Sequence, residues 1–139
     1  MGTSGAALQG YLRKPLAEPA VGAPLLLADE PVAGLDPYHQ LHVMEILRAR
    51  ADSGTGVLVV LHEMTLASRF LDRVIVMENG AIICDGPPEL VLNAENLQSV
   101  YGISPLVGAH DGERWLIPWS RTGHNAARTA EKQDFVASA

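Results

Sequence analysis

The sequence predicts an α/β fold built on a parallel sheet. Two short apolar runs, Leu25–Ala28 and Val57–Leu61, each stop at polar residues, Asp29-Glu30 and His62-Glu63. Runs of this length without alternation suit strands buried on both faces, as in a parallel sheet. The stretch between them opens on Asp36-Pro37, an N-cap followed by proline at the first helical position. It continues with Leu41, Met44, Leu47 and Ala51 at helical spacing, widened by Val43 and Ile46, and stops at Ser53-Gly54-Thr55-Gly56. Strand, helix and strand in that order define a crossover unit.

The remaining elements follow in order. Residues 1–22 are rich in Gly, Ala and Pro and show no sustained period, so an irregular lead-in is expected there, with Pro15 and Pro19 blocking any long helix. A short helix is expected over about Thr65–Leu71. Asn79-Gly80 supplies the two positive φ angles of a type I′ turn, so Arg73–Glu78 and Ala81–Asp85 form an antiparallel hairpin, with Cys84 and Ile82 on one face. Two short helices are expected near Pro88–Leu92 and Ala94–Tyr101, stopped by Gly102. A small hairpin within 104–120 turns on Asp111-Gly112, with Trp115, Ile117 and Trp119 on one face and Pro118 confining its arm to a sheet edge. Residues 121–139 read as a flexible polar tail.

Composition narrows the function classes. With 139 residues, 47% of them hydrophobic, and a net charge of −6, the chain is not a disordered tail. All of that charge lies in residues 1–103; residues 104–139 are neutral. No basic patch exists, so no nucleic-acid partner is expected. Cys84 is the lone cysteine, which rules out an internal disulfide and fits a reducing compartment. No apolar run approaches the roughly 20 residues of a membrane span, and no signal peptide is evident.

Chemistry concentrates where the two runs end. A carboxylate held at a strand tip, Asp29, can hold Mg²⁺ directly or through water. The next carboxylate, Glu30, points elsewhere and can orient or deprotonate an attacking water. An imidazole at the neighbouring tip, His62, can donate a hydrogen bond to a transferring phosphate. His39 and His42 lie three apart on the helix, but nothing supplies further ligands, so they read as exposed helix residues.

These residues carry a resemblance to ABC-type ATPases. Leu25–Pro31 resembles the Walker B motif and catalytic glutamate, Ala33-Gly34-Leu35-Asp36 resembles the D-loop, and Leu61-His62-Glu63 resembles the switch-histidine loop. The likeness runs from about Ala20 to Ile103 and carries the phrase "DRVIVMENGAIICDGPPELV". The phrases His62–Ala67, Gly86–Glu89, Glu95-Asn96-Leu97 and Val100-Tyr101-Gly102 are similar to ATPases of iron-siderophore, haem and cobalamin importers.

The resemblance implies residues 23–103 as the C-terminal half of a RecA-like P-loop NTPase domain. It implies ATP and Mg²⁺ as cofactors, Asp29 at the metal, Glu30 and His62 as catalytic groups, and Gly34 and Asp36 at a subunit contact. The implied partners are permease subunits and a second ATPase subunit. The implied location is the cytoplasmic face of the membrane, with membrane contact only through the permease.

The family's phosphate loop, glutamine loop, most of its helical subdomain and an intact signature motif are missing. No G-x-x-x-x-G-K-[ST] phosphate loop (Walker A) occurs, and the only lysines are Lys14 and Lys132. Ser4-Gly5 is a remnant, at most, of the signature motif, two residues out of place. The first 20 residues read as unrelated sequence joined to an intact C-terminal half. The chain is therefore expected not to hydrolyse ATP alone, and to be poorly stable because apolar strand edge and face are left bare. Two alternative readings are a non-catalytic half-domain that binds a permease or a full-length ATPase, and a soluble ABC-type ATPase outside transport.

Overall fold

The computed structural model describes residues 7–12 and 24–122. The elements run β1 (Ala7–Leu12), β2 (Leu25–Asp29), α1 (Pro37–Asp52), β3 (Gly56–Leu61), α2 (Met64–Phe70), β4 (Arg73–Glu78), β5 (Ala81–Gly86), α3 (Pro88–Val91), α4 (Ala94–Tyr101), β6 (Ile103–His110) and β7 (Glu113–Arg121). Five strands form one sheet in the order β2-β3-β1-β4-β5, and β6 and β7 form a separate ribbon.

The crossover unit forms as its sequence requires. β2 and β3 are parallel, with Asp29 beside Val60, and α1 connects them. Asp36 caps α1, Pro37 opens it, and the Ser53 and Gly54 N–H groups close it on the Ala49 and Ala51 carbonyls. Met44, Leu47 and Ala51 are buried, whereas Ile46 is exposed, so the apolar stripe is narrower than its sequence suggests. Asn79 (φ 51°) and Gly80 (φ 77°) make the turn between β4 and β5. Gly102 ends α4 in the left-handed conformation.

One face of the sheet holds the core. Register places Val57, Val59 and Leu61 of β3 on the same side as Val74 and Val76 of β4. All five are essentially inaccessible and pack with Met44, Leu47, Ala67, Phe70 and Leu71 from α1 and α2. Each such side chain contributes about 1.5–3 kcal/mol by leaving water.

Three expectations are corrected. First, the lead-in is not irregular throughout: Ala7–Leu12 is a strand inserted antiparallel between β3 and β4. Six residues are too few to show a period, and the ladder on both sides supplies what local sequence does not. Gly10 fits this slot closely, since a Cβ there would fall on the Leu71 side chain. The sheet is consequently mixed, with β2 and β3 as its only parallel pair among the described strands. Ser4, Gly5, Pro15 and Pro19 lie outside the described residues, as do 123–139 of the expected tail.

Second, β2 is not buried on both faces. Leu25 and Leu27 are 62% and 65% exposed, because no described element covers the sheet on their side. An unbroken apolar run records that both faces favour burial; it does not supply the second cover. Third, Cys84 and Ile82 do not share a face. A register shift opposite Val76/Met77 inserts an extra residue, so Cys84 turns to the core and Ile82 turns out.

The terminal ribbon is longer than expected, reaching Ile103 at one end and Arg121 at the other. Leu116 is its buried anchor, and Trp115 and Ile117 turn to the other face. Trp119 is the extra residue at a second register shift and stands exposed.

Candidate functional site

The parallel pairing of β2 and β3 brings two of the candidate residues into contact. Strand β2 ends at Asp29, and the Glu30 N–H still donates to the Val60 carbonyl at 3.0 Å. Glu30 then takes φ 49°, which turns the chain out of the sheet directly after the strand. The Glu30 carboxylate Oε1 meets His62 Nε2 at the tip of β3. With a carboxylate as acceptor, the imidazole is the donor in that contact. Both side chains remain substantially open to solvent. The His62 backbone N–H donates to the Glu63 carboxylate at 3.3 Å.

Asp29 is exposed at the same strand tip. Among the described residues no group of three or more His, Cys, Asp or Glu side chains gathers to hold a metal. A lone strand-tip carboxylate suits Mg²⁺, which commonly takes one or two protein carboxylates and completes its shell with water and phosphate oxygens.

The turn after Glu30 is built around Val32. Its side chain is fully buried, the Ala33 N–H donates to Glu30 O, and the Leu35 N–H donates to Val32 O, both at 3.2 Å. The Gln40 amide from α1 reaches the Val32 carbonyl at 3.4 Å. Gly34 takes φ 74° with open space where a Cβ would stand, so backbone conformation and not crowding favours glycine there.

Asp36 is brought to His39 and not to the Glu30–His62 pair. Its Oδ1 accepts the His39 N–H at 3.0 Å, and its Oδ2 lies 2.7 Å from His39 Nδ1. The His39 backbone N–H, followed by the His39 ring, holds the Asp36 carboxyl below its ordinary range. A lowered folded-state pKa stabilises the fold above the unfolded value, and that contribution is lost as pH falls through the folded pKa. Asp36→Ala is therefore expected to lower Tm at neutral pH, and the deficit should shrink on acidification below the usual aspartate range. Thermal melts of both proteins across that range check it. A deficit that stays constant with pH would exclude the carboxylate as the capping group.

Val32 and Gln40 are structural parts of the site that sequence motifs did not single out, and His39, read there as an exposed helix residue, is the partner of Asp36. For His39 a signal existed: it stands three residues beyond an N-cap aspartate.

No protein-family model matches the chain. A solved ABC transporter of metal-chelate type, in an inward-facing conformation, superposes with a TM-score of 0.59 over 69% of this chain and 40% of its own, at 20% identity, which shows a shared ABC ATPase fold. The sequence likewise carries a partial ABC ATPase resemblance.

The particular relatives are hemin import ATP-binding proteins. That of Bradyrhizobium diazoefficiens is 40% identical over 108 residues, 77% of this chain. That of Vibrio anguillarum is 44% identical over 87 residues, 62% of this chain. The chain spans only 40% and 34% of those two proteins.

Proposed function

We propose that this chain is the C-terminal portion of the ATP-binding subunit of an ABC importer for haem or a related iron-siderophore or cobalamin-like cargo. Identity of 40% over 108 residues and of 44% over 87 residues to hemin import ATP-binding proteins supports this reading most strongly. In that role Glu30 orients the attacking water and draws its proton, and His62 steadies the γ-phosphate by hydrogen bonding. Asp29 would hold Mg²⁺, which supplies charge neutralisation on the phosphates. Gly34 and Asp36 lie on the turn that would face a second ATPase subunit. The remaining partners would be permease subunits, with the chain peripheral at the cytoplasmic face of the membrane. No helix among the described residues is long and apolar enough to cross a membrane.

The contact between His62 and Glu30 defines a resting arrangement. The imidazole meets one oxygen of the carboxylate, and the other remains open to solvent for a water. ATP turnover also needs a phosphate cradle that this sequence does not contain.

A second reading is a non-catalytic half-domain that binds a permease or a full-length ATPase. One experiment separates the two. The chain is mixed with the complementary N-terminal segment of the Bradyrhizobium diazoefficiens relative, and Mg²⁺-dependent ATP hydrolysis is measured. The chain alone is expected to be inactive. The mixture is expected to turn over ATP, and Glu30→Gln is expected to abolish that turnover. Inactivity of the mixture, together with capture of the chain by a permease, would establish the non-catalytic reading.

A further inference from the structure

The imidazole of His39 is held more closely than an exposed helix residue requires. Capping α1 needs one oxygen of Asp36, and Oδ1 serves by accepting the His39 N–H at 3.0 Å. The second oxygen, Oδ2, meets the ring, 2.7 Å from Nδ1. An ionised carboxylate only accepts, so the hydrogen of this bond sits on Nδ1. In the neutral ring Nε2 then carries a lone pair and no hydrogen. The Tyr38 ring stands edge-on to the imidazole, with centroids 5.3 Å apart and planes at 81°, and steadies its orientation.

The surroundings fix where that lone pair is presented. The Gln40 side-chain amide donates to the Val32 carbonyl at 3.4 Å, which ties the first turn of α1 to the turn after Glu30. Asp36 has both oxygens engaged within the chain. The His39 side chain is 60% exposed, and among the described residues nothing bonds its Nε2. Beside Gly34 and Asp36, the chain therefore offers outward an imidazole acceptor in place of a free carboxylate.

We propose that His39 is a positioned hydrogen-bond acceptor at the subunit contact, a role that rests on the importer reading. Asp36 locks the ring with its hydrogen on Nδ1, and Nε2 receives an N–H or O–H donor from a second copy of the ATPase subunit. The lock sets both strength and choice of partner. A ring free to exchange tautomers presents a donor part of the time, and binding then bears the cost of selecting the other form. A preset acceptor avoids that cost and disfavours a partner that offers only acceptors.

The test has two parts. In nitrogen-correlated NMR spectra of the chain at pH about 8.5, above the ordinary imidazole range, His39 should show Nδ1 protonated and Nε2 bare. Asp36→Asn should reverse this with the helix intact. Its side-chain oxygen keeps the cap, while its NH₂ faces the ring and donates to Nδ1, which sends the ring hydrogen to Nε2. Pairing is then read by sedimentation velocity on the chain mixed with the complementary N-terminal segment of the Bradyrhizobium diazoefficiens relative and Mg²⁺-ATP. His39→Asn keeps a donor toward Asp36 but has no atom at the Nε2 place, and should weaken pairing about two- to tenfold. His39→Gln, whose amide oxygen reaches that place, should recover part of the loss. A hydrogen on Nε2 in the natural chain overturns the proposal whether or not any variant folds. A mixture that hydrolyses ATP and pairs equally well with His39→Asn overturns it and leaves the importer reading intact. A natural mixture that neither hydrolyses ATP nor pairs overturns both.

Discussion

Leu61→Ala is expected to lower the unfolding free energy by about 2–5 kcal/mol, the range for emptying a leucine site in a close-packed core. Leu61 is fully buried at the end of β3 and packs within the main apolar cluster. Small domains have about 5–15 kcal/mol in total. The loss should appear in urea titration as a lower midpoint with little change in slope. It should also disturb the site, because His62 follows directly and its contact with Glu30 depends on the strand tip. A loss below about 1 kcal/mol would mean that the cluster collapses to fill the void.

The second large effect is expected at Gly10. A Cβ at this buried position would fall on the Leu71 side chain, itself 4% exposed. Gly10→Val forces either Leu71 or β1 to move, and overpacking of this kind typically destabilises by about 1–3 kcal/mol. Which one moves can be read directly. Val57, Val59 and Leu61 direct their backbone groups away from β2 and toward β1. Ejection of β1 would strip hydrogen-exchange protection from those three amides at once. If they stay protected while stability falls, Leu71 has moved instead.

Elements governed by local chemistry were legible in the sequence. Asp36-Pro37 started a helix at the expected residue, Asn79-Gly80 made the expected turn, and Gly102 stopped α4. Parallel pairing of the two apolar runs was legible as well, and it accounts for the meeting of Glu30 with His62. What escaped depends on distant partners. β1 is held by ladders to β3 and β4, separated from it by about fifty residues or more, and its own six residues are ambiguous. The bulge that separates Cys84 from Ile82 arises from pairing register, which alternation alone does not reveal. The exposure of Leu25 and Leu27 reflects what lies over them, a property of the assembly and not of the strand. Within the site, Asp36 went to His39 because a cap satisfies the nearest free N–H groups first.

The terminal ribbon has a mechanical consequence for His62. α2 begins at Met64, two residues beyond that imidazole, and is seven residues long, about 10 Å of stiff rod. Near its start, Thr65 Oγ1 donates to the Leu116 carbonyl at 2.6 Å; near its end, Arg69 Nε donates to Glu113 at 2.6 Å. Both contacts go to a single strand of the ribbon, so the placement of the helix that starts two residues beyond His62 depends in part on β7.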